Sequence, residues 1–123
     1  MNKKILIVED HPDIRRLLTF ILRRQGYEIL ETNTGSSAVT LVTTEKPDLV
    51  LLDLSLPDLS GLEIARTIKQ NPETTQIPLV ALSGYSEREI ESKAFEAGMA
   101  EYLVKPTETK RLVEVIEKLT PPV

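Results

Sequence analysis

Residues 47–58 read PDLVLLDLSLPD, and the middle of that stretch decides how the rest of the chain is read. Leu49, Val50, Leu51 and Leu52 form an unbroken apolar run between Pro47 and Pro57. Such a run fits a strand buried on both faces. Asp53 then ends it, and a carboxylate there is unfavourable unless it is paired, protonated or bound to a cation. A turn or helix cap is the plain explanation, because Asp often precedes a loop. The flanking segments have to choose between the two.

Outward from this run, strand candidates recur at fairly even intervals: Ile5–Val8, Tyr27–Glu31, Leu49–Asp53, Leu79–Leu82 and Glu101–Val104. Helical period fills the gaps. Ile14, Leu17, Leu18, Ile21 and Leu22 make one apolar stripe, closed by Gly26. Ala38, Leu41 and Val42 make a shorter one. Leu62, Ala65 and Ile68 follow a capping box from Ser60 to Glu63, and Ser86 to Glu89 fits a second box ahead of Ile90, Ala94 and Ala97, with Gly98 as the stop. Leu112, Val115, Ile116 and Leu119 give the last helix its buried face, before Pro121 and Pro122. Strand and helix thus alternate through the chain, which predicts an α/β fold with a parallel sheet covered on both sides. The first, third and fourth strands are the most continuously apolar and are expected at the centre.

The chain has 123 residues, a common size for a single core, so one domain over residues 1–123 is expected. The formal net charge is −4 and no dense Lys/Arg cluster occurs, so direct nucleic-acid binding is not expected. The absence of cysteine excludes disulfides, thiolate zinc sites and thiol nucleophiles. The opening MNKKILIVED carries an apolar run too short for a signal peptide or a membrane span, and a cytoplasmic protein without a membrane role is the expectation.

In open sheets of this kind, sites form beyond the carboxyl ends of the strands. The first strand runs into Glu9 and Asp10, the third into Asp53, the fourth into Ser83 and the fifth into Lys105-Pro106. If these strands are neighbours, three carboxylates, a hydroxyl and an ammonium converge on one rim. Clustered carboxylates resist ionisation, and a hard divalent cation such as Mg²⁺ removes that penalty. The set suits phosphoryl transfer: Asp53 as nucleophile, Lys105 and Ser83 binding phosphoryl oxygens, Glu9 and Asp10 holding the metal. Each residue also has an ordinary explanation. Glu9 and Asp10 favour a helix start at Pro12, and Lys105 alone reads as a solvated lysine. His11 abuts that helix start and carries no assigned chemistry.

Taken together, ILIVEDHPD, LVLLDLSLPDLSGLEIAR, IPLVALSGY and AEYLVKP resemble the successive signatures of the receiver domain of two-component response regulators, across essentially the whole chain. The resemblance implies a doubly wound (βα)5, flavodoxin-like three-layer sandwich with strand order 2-1-3-4-5. It makes Asp53 the phospho-accepting residue, Glu9 and Asp10 the acidic metal pair, and the backbone carbonyl of Ser55 a further Mg²⁺ ligand. Ser83 matches the hydroxyl switch residue, Tyr102 the aromatic switch and Lys105 the site lysine, with Lys105-Pro106 as a cis peptide. It further implies a histidine kinase or phosphotransfer protein as donor and a downstream protein effector. Glu9 stands where Asp is usual, and Ser83 where Thr is frequent. A phosphohydrolase with an aspartyl-phosphate intermediate is the alternative. Such enzymes carry a second carboxylate two residues after the nucleophile, and that position here is Ser55.

Overall fold

A computed structural model describes residues 2–56, 58–84 and 87–122. Its elements follow in strict alternation: β1 (Lys4–Val8), α1 (Pro12–Arg24), β2 (Glu28–Thr32), α2 (Gly35–Glu45), β3 (Leu49–Asp53), α3 (Gly61–Gln70), β4 (Leu79–Ser83), α4 (Arg88–Glu96), β5 (Glu101–Val104) and α5 (Thr109–Leu119). All strand pairs are parallel, in the order β2-β1-β3-β4-β5. The three most apolar strands are therefore the central ones, as their composition requires. Every residue of β3 and of β4 is buried.

Alternation along the strands divides the core into two layers. Leu6, Val8, Val50, Leu52, Leu79 and Ala81 pack against α2, α3 and α4 through Ala38, Val42, Ile64, Ala65, Ile68 and Ala94. Ile5, Ile7, Leu49, Leu51, Val80 and Leu82 pack against Leu18 and Leu22 of α1 and Leu112, Val115 and Ile116 of α5. Each buried Leu, Ile or Val among them contributes about 1.5–3 kcal/mol, and the alanines less. Because β1, β3 and β4 are covered on both faces, their open ends are the only places where their neighbours can be polar.

Local signals set the helix ends. Ser60 caps α3, its side chain accepting from the Glu63 amide at 3.2 Å. Gly26 and Gly98 take φ of 95° and 105°, left-handed values that stop α1 and α4 at little steric penalty. Helix α4 begins with Glu87 as its N-cap, and Ser86, expected to cap it, lies outside the described residues. Strands β1 and β4 each run one residue longer than expected, from Lys4 and to Ser83, and two other expectations need correction. Strand β2 runs one residue later than Tyr27–Glu31, because Tyr27 is taken up by the turn that closes α1, its amide donating to the Leu22 carbonyl. Leu17 is 58% exposed and not part of the buried stripe. Helix α1 is turned so that Leu18, Thr19 and Leu22 face inward, and the Thr19 hydroxyl donates to Glu31 at 2.9 Å. Among the described residues no helix is long and apolar enough to cross a membrane.

Candidate functional site

The carboxyl ends of β1, β3, β4 and β5 deliver the residues their sequence positions promise. The register pairs Val8 with Leu52, Asp53 with Leu82 and Leu82 with Leu103, so Glu9 and Asp53 stand at one level of the sheet, with Ser83 one position and Lys105 two positions further along the same rim. Glu9 is fully buried and Asp53 is 2% exposed. Lys105 reaches across both, with Nζ 2.6 Å from Glu9 Oε1 and 3.3 Å from Asp53 Oδ2. Its amide donates to the Ser83 carbonyl at 2.7 Å, and Lys105-Pro106 is cis. Asp53 Oδ1 accepts from the Ser55 amide at 2.9 Å, which holds the backbone of residue 55 against the carboxylate. Asp10, half-buried, follows Glu9 on the same rim.

Tight packing brings the next helix up to this point. A Cβ on Gly61 would lie 2.6 Å from the Asp53 carbonyl oxygen and 2.7 Å from Leu54 Cα, so only glycine lets α3 start this close to the end of β3. Ser83 is buried, while Tyr102 is half-buried on β5, against the layer formed with α2, α3 and α4. Tyr102 pairs with Ala81, two residues before Ser83, which puts Ser83 and Tyr102 on the same side of the sheet.

Burial would raise the Glu9 carboxyl, but the proton-bearing Asp53 carboxyl beside it and the Lys105 ammonium bring it down to about 2. Burial pushes Asp53 up to about 7, and the neighbouring Glu9 carboxyl adds to the rise. The asymmetry follows the distances, since the ammonium is nearer to Glu9. Burial opposes the charge on Lys105, yet the two carboxylates hold its pKa above the ordinary value. The two acids therefore behave as a coupled pair that keeps a proton near neutrality.

Sequence reasoning finds Glu9, Asp10, Asp53, Ser83 and Lys105 by their place at strand ends, and the structure gathers all of them. It passes over three contacts. His11, the N-cap of α1, sets its Nδ1 3.3 Å from Glu9 Oε2 and 3.4 Å from Asp10 Oδ1. Arg15 donates to the Glu9 carbonyl at 2.8 Å. Asp58 accepts from the amides of Gly35 and Ser36 at 2.7 and 3.1 Å, tying the β3–α3 connection to the start of α2. Only His11 carries a visible signal, its adjacency to two acids.

The donor set fits a divalent cation. One ligand atom from each of Glu9, Asp10, His11 and Asp53 lies within 4.8 Å of the others. Glu9 Oε1, Asp10 Oδ1 and Asp53 Oδ2 are buried without a hydrogen bond of proper geometry, Lys105 meeting the first and last only as an ion pair. Oxygens left in this state are what a hard cation satisfies.

The sequence profile of the response regulator receiver domain matches residues 5–117. The chain belongs to this family. Receiver domains are the phosphoryl-accepting modules of two-component signalling, and this membership does not favour the phosphohydrolase alternative. Among curated relatives, the phosphate regulon regulator PhoB of Pseudomonas aeruginosa is 37% identical over 113 residues, covering 92% of this chain and 49% of PhoB. The polar-differentiation response regulator DivK of Brucella ovis is 32% identical over 117 residues, covering 95% of both chains. The chain thus spans about half the length of PhoB and nearly all of DivK. Among solved structures, the receiver domain of the sensor histidine kinase PA1611 from Pseudomonas aeruginosa superposes with a TM-score of 0.91 at 27% identity, covering 99% of this chain and 100% of that one. In that structure a magnesium ion is coordinated in the active site cleft.

Proposed function

We propose that Asp53 accepts the phosphoryl group of this receiver and that Glu9, Asp10 and the Ser55 carbonyl, with Asp53, hold Mg²⁺ beside it. The observation that carries the reading is a nearly inaccessible carboxyl with a raised pKa, at the end of a central strand, 3.3 Å from an ammonium. Ionised Asp53 attacks phosphorus while the bond to the donor's imidazole nitrogen breaks, leaving an aspartyl phosphate. Bound Mg²⁺ would neutralise charge on the carboxylates and on the phosphoryl oxygens. Lys105, 3.3 Å from Asp53, and Ser83, at the end of the neighbouring strand β4, would bind those oxygens by charge-assisted hydrogen bonds.

The donor is a histidine kinase or phosphotransfer protein, and the protein acts as a signalling module in the cytoplasm rather than as a conventional enzyme. It catalyses only its own phosphorylation and dephosphorylation, within a single receiver unit over residues 1–123. Movement of Ser83 toward the phosphoryl group alters the packing available to Tyr102, which shares its side of the sheet. This switches the α4–β5–α5 face offered to a downstream protein. The test is mass spectrometry after incubation with Mg²⁺ and acetyl phosphate. The wild type should gain one base-labile phosphoryl group and Asp53→Asn none. An Asp53→Asn chain that gains the same mass at the same rate overturns the assignment.

A further inference from the structure

We infer that the His11 imidazole is a further ligand to the cation at this rim, one that selects borderline transition ions such as Co²⁺ over Mg²⁺. The inference rests on the cation reading above and adds a ligand to it. His11 is the N-cap of α1, yet its side chain makes no cap hydrogen bond, so the ring is not used to start the helix. Its Nδ1 instead faces Glu9 Oε2 and Asp10 Oδ1. Lys105 meets Glu9 and Asp53 through other oxygens, Oε1 and Oδ2, so ammonium and imidazole divide the carboxylates between them. Two of these acids are at least nine-tenths buried and have oxygens without a hydrogen bond, so the cluster is more than a group of surface acids.

Geometry allows a shared ion. Atoms about 2.1 Å from one transition ion lie at most about 4.2 Å apart. The four ligand atoms, within 4.8 Å of one another, need to close by only about 0.6 Å. The set of three carboxylates and one imidazole is also chemically selective. Oxygen donors serve Mg²⁺, whereas an imidazole nitrogen adds affinity for Co²⁺, Ni²⁺ or Zn²⁺ and little for Mg²⁺. The competing explanation is that the ring merely donates a hydrogen bond that orients the acids. An amide at position 11 keeps a donor but is a poor ligand, which separates the two.

The experiment is calorimetric titration of the untagged chain with CoCl₂ and, separately, MgCl₂, for the wild type, His11→Ala and His11→Gln. Co²⁺ affinity should fall roughly tenfold or more in both variants while Mg²⁺ affinity changes by less than about twofold. Equal losses for both metals, or a His11→Gln chain that keeps its Co²⁺ affinity, overturn the inference. A second measurement needs no variant. The chain has one histidine and no cysteine, so hyperfine-shifted imidazole protons in the Co²⁺ NMR spectrum belong to His11. Their absence at saturating Co²⁺ overturns the inference as well. Selective Co²⁺ loss in a chain whose Asp53 takes no phosphoryl group would sustain the ligand and defeat the phosphoryl reading. Phosphorylation alongside Co²⁺ binding that ignores His11 would do the reverse.

Discussion

At the amino end of the sheet, Lys4 pairs with Glu45 at 3.4 Å and its amide donates to Asp48 Oδ2 at 2.8 Å, with both side chains of the ion pair in contact with solvent. At the carboxyl end of the same strands, Glu9 and Asp53 are buried together against one lysine. The first arrangement is inexpensive and adds little, because water screens each charge. The second takes two carboxyls out of water and leaves some of their oxygens without hydrogen bonds, which is unfavourable unless something else completes the site. One sheet therefore has a rim whose charges cost little and a rim whose buried acids depend on Lys105 and whose remaining oxygens suit a bound cation.

The largest effect that would test this contrast is at Lys105. Lys105→Ala removes the single cation between two buried acids, and at pH 8 should lower the unfolding free energy by about 2–4 kcal/mol. Urea denaturation monitored by circular dichroism measures it, and an unchanged midpoint would mean the acidic rim does not depend on its ammonium.

Next is the pH dependence of Asp53→Asn. The folded Asp53 carboxyl sits near 7, above its ordinary 3.8, so the folded state holds the proton more tightly than the unfolded chain does. That contribution is fully present below about 3.8 and is lost as pH rises through about 7. Glu9 has the opposite sign, fully present above 4.5 and lost as pH falls from there through about 2, so it is constant over all but the acid edge of this window. Asn carries no charge at any pH. In chelator, Asp53→Asn should be more stable than the wild type by about 1–3 kcal/mol at pH 8, with the gap closing toward pH 4. Thermal melts across that range check it, and a gap independent of pH would remove the proposed cause. The smallest effect belongs to the other rim, where Glu45→Gln should change stability by less than about 0.5 kcal/mol. A loss as large as that of Lys105→Ala would erase the distinction between the two ends.

Much of this arrangement is legible in the sequence because the strands carry it locally. LVLLD and LVALS are apolar to their last residue, so burial, central position and a polar terminus are all written in one short run. The helical stripe of α1 is less legible. Period alone admits Leu17, but a helix can turn only one side to a sheet, and the hydrogen bond from Thr19 to Glu31 helps set that side. Nothing near Thr19 in the chain announces Glu31. Asp58 is illegible for the same reason: it looks like any loop acid, and its partners lie more than twenty residues earlier. His11 stands between these cases, its neighbours evident and its ring direction not. Residues whose role is fixed by their own strand can be read; residues whose role is fixed by a distant backbone cannot.

The Asp58 contact also turns two distant amides into a clock. The backbone N–H groups of Gly35 and Ser36 donate to its carboxylate and hold that carboxyl below its ordinary pKa. Deuterium can replace those hydrogens readily only when Asp58 lets go. Exchange at residues 35 and 36 therefore times the opening of the connection that follows Asp53, read from a part of the chain that the phosphoryl group never touches.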